Sequence, residues 1–165
     1  MIKWLLGEHK MKQLILQIII LFLVIGCNSA QNPPKTSGYD HFDNIESIKM
    51  LEKSQCFLVG RMGPAGVVPK EEIVLCKIMK RDDASAVLEE LYSRGSPAGK
   101  LYALLGLRFI NKAKYEELTP QLKQSTDKVE TQAGCIVFVE TVQAIISYME
   151  AGNYDYYIQD ELKSD

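Results

Sequence analysis

The chain has 165 residues, of which 47% are hydrophobic and 24% charged, with a net charge of −2 at neutral pH. That is enough apolar material for one domain with a core, and it excludes a disordered or low-complexity chain. The slightly acidic balance also excludes a nucleic-acid-binding face, which needs concentrated basic charge.

Residues 14–25 read LILQIIILFLVI, apolar except for Gln17. This is short of the roughly 20 residues of a membrane-spanning helix and suits the apolar centre of a signal peptide. The run ends in Val24-Ile25-Gly26-Cys27. An aliphatic residue, a second apolar residue, a small residue and then cysteine resembles the lipobox of bacterial lipoproteins. That resemblance implies a lipoprotein signal peptide over residues 1–26, cleavage before Cys27, and membrane attachment through the acylated Cys27. The competing reading is an uncleaved signal anchor with an incidental cysteine. Met11-Lys12-Gln13 supplies a short basic start, whereas residues 1–10 carry Glu8 and His9, so translation is expected to begin at Met11. Asn28 stands where Asp would signal inner-membrane retention in some Gram-negative bacteria. The expected location is therefore the cell envelope, at the outer membrane, facing the periplasm or the surface. Each buried methylene of an acyl chain contributes about 0.8 kcal/mol, so several chains anchor a protein permanently.

Without residues 1–26, which carry Lys3, Lys10, Lys12 and Glu8, the net charge is −4. Residues 27–40 are polar and rich in Pro, Ser and Asn and are expected to form a flexible tether. Residues 41–160 are expected to form the folded domain. Within it, residues 43–53 space Ile45, Ile48 and Leu51 as on a helix, with Asp43 and Glu46 at capping-box spacing. Residues 55–59 form a brief apolar run, read as a short strand or buried extended segment. The stretch from Gly60 to Gly66 lacks both nucleotide-binding fingerprints and reads as a tight loop. Pro69 fits the first turn of a helix over residues 70–81, whose charges follow the helix dipole.

Residues 84–110 form the clearest pattern. Asp83 reads as the N-cap of the first helix, Ala84, Val87, Leu88, Leu91 and Tyr92 make one apolar stripe, and Gly95 suits a left-handed helix end. Ser96 and Pro97 restart a second helix as N-cap and first residue, so the two helices are expected to be antiparallel. Gly99 and Gly106 cost about 1 kcal/mol each in a helix relative to Ala, so a close helix contact is expected at both, with residues 135–150 as the expected neighbour. A short helix follows over residues 112–118, and Thr119-Pro120 repeats the restart signal. Residues 125–132 are polar and break the helical rhythm. Residues 135–150 read as the most apolar helix, with Ile136, Val139, Val142, Ile146 and Met149 on one face. Tyr154, Tyr156 and Tyr157 in the tail are expected to pack back on the core. The expected fold is all-α: about five or six helices in antiparallel pairs, HEAT-like in flavour, with at most a short extended segment near 55–59.

Three cysteines follow Cys27. Cys76 falls on an apolar helical face and reads as core. Cys56 and Cys135 lie at element edges and form the expected disulfide if one exists, with three buried, free thiols as the alternative. His41 is the one histidine after the signal peptide, and neither HExxH nor CxxC is present. No catalytic or metal-binding set is expected, and no cofactor. Glu71-Glu72, Glu89-Glu90 and Glu116-Glu117 read as solvated charge.

The phrase GSPAGKLYALLGL at 95–107, with CFLVGRMGPAGVVPKEE before it and TQAGC after it, resembles a family of small bacterial secreted proteins and lipoproteins. Some are named after an accessory protein of a microcin gene cluster. The resemblance covers roughly residues 55–154, lends no catalytic residues, and implies only an association with toxin export or immunity. The expected function is that of a lipid-anchored, non-enzymatic envelope protein whose helical domain binds a protein partner. The alternative is a small-ligand binder or enzyme with a site near Gly60 to Gly66, Tyr102 and Arg108.

Overall fold

A computed structural model describes residues 44–164. The expected signal peptide, Cys27, the tether and His41 lie outside the described residues.

The domain is mainly α-helical with a small three-stranded mixed sheet. The elements are α1 (Asn44–Glu52), β1 (Cys56–Phe57), α2 (Lys70–Met79), α3 (Ala84–Arg94), α4 (Pro97–Ile110), α5 (Lys112–Leu122), β2 (Lys128–Ala133), β3 (Ile136–Thr141), α6 (Val142–Glu150) and α7 (Asp155–Leu162). β1 runs parallel to β2, and β2 antiparallel to β3, in the order β1-β2-β3.

Helix α4 is the hub. Its residues from Ala98 to Leu107 are buried apart from Lys100, and it touches α1, α2, α3, α5, α6, β1 and β2. A helix that is apolar on nearly every side belongs in the interior. Its start is strongly specified: the Ser96 hydroxyl accepts the Gly99 N–H at 3.0 Å and donates to the Ser54 carbonyl at 2.5 Å. Antiparallel packing of α3 on α4 follows from the corner at Gly95, and the Asn111 amide donates to the Ser85 hydroxyl at 2.9 Å across the far end. Gly95 itself is extended, with φ −69° and ψ 154°, rather than left-handed. The chain passes straight into the Ser96 cap, and a Cβ at Gly95 would lie 2.6 Å from the Leu91 carbonyl oxygen.

Gly99 and Gly106 are contact points, with different neighbours from those expected. A Cβ at Gly99 would meet the Leu51 carbonyl oxygen of α1 at 2.7 Å, and one at Gly106 would meet Leu88 of α3 at 2.7 Å.

Three further expectations are corrected. Thr119-Pro120 does not restart a helix: α5 runs through it, and Thr119 donates its hydroxyl to the Tyr115 carbonyl at 2.5 Å inside the same helix. Asp83 precedes α3 but makes no side-chain cap, because its carboxylate is engaged by Arg81 at 2.7 Å. The largest correction concerns residues 128–150. The polar break is β2, and the first part of the expected long helix is β3. The fold is therefore not purely all-α. β2 is mostly polar and β3 is β-branched and aromatic, yet the two satisfy their main-chain groups against each other, which neither segment read alone reveals. The helix begins only at Val142, where Thr141 accepts the Ala144 N–H at 3.2 Å.

Candidate functional site: the β-hairpin edge and its groove

The hairpin is built on Gly134-Cys135, a two-residue connection between the paired residues Ala133 and Ile136. Gly134 has φ +58°, and among the described residues no non-glycine residue has positive φ. Glycine at the first central position is the pattern of a type II′ turn, whose twist matches that of the strands. The turn also holds the glycine loop, since Gly63 donates its N–H to the Gly134 carbonyl at 3.0 Å.

β2 is central and β3 lies at the edge of the sheet. Its apolar residues are open to solvent: Ile136 is 62% exposed, Val137 60%, Phe138 41% and Val139 64%. The pairing sets Phe138 against Thr131, and Val139 against Glu130. Side chains alternate across a strand, so Ile136 and Phe138 lie on one face and Val137 and Val139 on the other. Both faces of the strand thus carry apolar side chains that the described residues leave partly or largely open to solvent. Proteins usually blunt such an edge with Lys, Pro, a bulge or a covering element. None interrupts residues 136–139.

The Phe138 face opens into a groove of about 440 Å³ bordered by Arg61, Phe138, Glu140, Tyr148, Tyr154 and Tyr157. Tyr154 and Tyr157 pack against the core as expected of the tail, whereas Tyr156 is exposed. Phe57 of β1 meets the Tyr154 ring edge-on, with centroids 5.4 Å apart. Burial pushes the Tyr154 phenol up to about 12, so it stays neutral. Arg61 is engaged by Asp160 at 3.0 Å.

The structure separates the residues of the alternative site. Tyr102 is completely buried and Arg108 is paired with Asp155, and neither borders the groove. The N–H groups of Gly60, Met62, Gly63, Gly66 and Val67 are all engaged within the protein, which leaves the loop without the converging free amides of a phosphate cradle. Gly60, with φ +101°, presses on the Tyr157 ring, which a Cβ would meet at 3.1 Å.

Glu72 is not the solvated charge that its pairing with Glu71 suggests. It is 2% exposed and accepts the Gly60 N–H at 2.5 Å, fixing the start of the loop beside the groove. Burial raises its pKa. The signal available in the sequence was its place beside Ile73 and Cys76 on the helix.

All three described cysteines are free, but of the three only Cys76 is buried, Cys56 being half-buried and Cys135 exposed. Cys56 pairs with Glu130, whereas Cys135 sits in the turn beyond Ala133. About 10 Å of strand separates those positions, too far for a disulfide without moving the backbone. The expected Cys56–Cys135 bridge is therefore absent. Burial, followed by the thiol's contact with Glu130 at 3.6 Å, raises the Cys56 pKa, and burial pushes Cys76 up to about 12. A thiol held protonated is a poor nucleophile. Among the described residues no group of His, Cys, Asp and Glu is placed to hold a metal ion.

No family model matches the chain, and no curated protein or solved structure is significantly similar to it.

Proposed function

We propose that this chain is a lipid-anchored protein of the bacterial envelope that works by holding another protein chain rather than by catalysis. The observation that carries the reading is the uncovered apolar edge of β3, residues 136–139. An edge strand offers main-chain N–H and C=O groups to an added strand, and neighbouring apolar side chains reward the pairing. The lipobox at residues 24–27 supplies the anchor.

The test is cross-linking in intact membranes followed by recovery of the wild-type chain and of a Val137→Lys, Val139→Lys variant. The reading expects protein adducts that the variant loses. Adducts retained in full by the variant would place the interaction elsewhere.

The groove supports a second reading. Phe138, Tyr148, Tyr154 and Tyr157 beside Glu140 offer flat apolar walls and a polar handle to a small ligand. Saturable binding of an envelope metabolite that Tyr154→Ala abolishes would favour it.

A further inference from the structure

We infer that the chain seated on the β3 edge is a second copy of this protein, paired antiparallel through β3 with Phe138 on the two-fold axis. The inference rests on the interaction reading above and names its partner.

The turn closes on Ala133 and Ile136. Ile136, Phe138 and Glu140 therefore direct their main-chain groups at β2, and Val137, Val139 and Thr141 direct theirs outward. Two copies of this edge can pair antiparallel only where outward-directed residues oppose each other. That rule leaves few symmetric registers. One centred on Val137 overlaps only residues 136–138 of the strand. One centred on Val139 sets Phe138 against Glu140 of the second copy. The register centred on Phe138 sets Val137 against Val139 of the second copy, where both main-chain bonds are exchanged, and Phe138 against its own copy. It makes fullest use of the exposed apolar residues.

Charge agrees with this register. Glu140 is the acidic residue of β3, and it falls opposite Ile136 of the second copy. The two Glu140 carboxylates lie about 14 Å apart along the strands, so no like charges are opposed. Phe138 and its copy form a non-hydrogen-bonded pair, the type with the closer side chains, and aromatic pairs add to the burial. The result is one continuous sheet with both β3 edges removed. Five residues of each β3 strand overlap, a contact smaller than the ~800 Å² per partner of a standard interface, so a concentration-dependent rather than a permanent dimer is expected.

The test uses the detergent-solubilised full-length protein. Sedimentation equilibrium should show a concentration-dependent dimer, and Val137→Lys, Val139→Lys should remove it with the circular dichroism spectrum unchanged. In a Cys135→Ser background, Phe138→Cys should form an interchain disulfide at least tenfold faster than Val137→Cys or Val139→Cys, which face each other's position rather than their own. A monomer at all concentrations, or equal cross-linking at the three positions, overturns the inference. A monomer whose capture of a different protein is lost in the lysine variant overturns self-pairing and leaves the interaction reading standing. A monomer with no such capture overturns both.

Discussion

The phenolic oxygen of Tyr102 accepts a 2.6 Å hydrogen bond from the main-chain N–H of Leu58, joining the central helix to the segment that follows β1. The same oxygen lies 3.3 Å from the carbonyls of Cys56 and Leu58. Tyr102 is fully buried and its ring packs on Phe57 at 4.9 Å. A strand of two residues cannot hold itself in place, so a helix side chain anchors it.

Tyr102→Phe keeps the ring and leaves the Leu58 N–H without its partner. An unsatisfied buried donor costs about 1–3 kcal/mol. The expected outcome is a stability loss of that size in urea denaturation, with faster hydrogen exchange at the Leu58 amide. Unchanged stability would show that the hydroxyl has no structural role.

Gly99→Ala and Gly106→Ala both replace a poor helix former, a change otherwise favourable by about 1 kcal/mol. The obstacles differ. At Gly99 the new methyl meets main-chain oxygen of α1, whereas at Gly106 it meets the ends of the Leu88 and Leu75 side chains. Side-chain ends can move and a packed backbone resists, so Gly99→Ala should lower the thermal midpoint more than Gly106→Ala. The reverse order in a calorimetric comparison would refute that ranking.

Glu72 sets a pH dependence. Its pKa is raised in the fold by burial. A raised folded value means that its contribution to stability is present below the ordinary Glu range and is lost as pH rises through the folded value. Glu72→Gln keeps an acceptor for the Gly60 N–H and carries no charge. The variant should therefore show a flatter stability profile from the ordinary Glu range upward, and its advantage over wild type should grow as pH rises. Denaturation midpoints collected across that range would reveal it; parallel profiles would contradict it.

Cys27→Ser should abolish incorporation of labelled palmitate and move the protein from the membrane to the soluble fraction. Labelling that persists in this variant would refute the lipobox reading.

Much of the helical architecture was legible because helix signals are local. Ser96-Pro97 announces a start, and the stripe through Leu88 and Leu91 announces a buried face. The hairpin was less legible because a strand becomes visible through its partner. Val129-Glu130-Thr131 and Val139-Glu140-Thr141 are the same short phrase in two strands that pair with each other. Read singly, the first looks polar and the second fits a helical stripe. Glu72 shows the same limit: paired with Glu71 it reads as solvated despite the apolar Ile73 and Cys76 nearby, and it is buried beneath the glycine loop, whose Gly60 N–H it accepts. The candidate site was therefore glimpsed in the Gly60 loop and the tail tyrosines, but its central strand was not.

The β3 edge is the proposed place where this protein meets another chain. A photo-crosslinking amino acid placed at position 138 in living cells tests it most directly, with position 156, whose tyrosine is 71% exposed, as the control. Pairing at this edge should give strong, discrete protein adducts from 138, including one at twice the mass of the chain, and only diffuse background from 156. Equal labelling at the two positions, or none from 138, would contradict it.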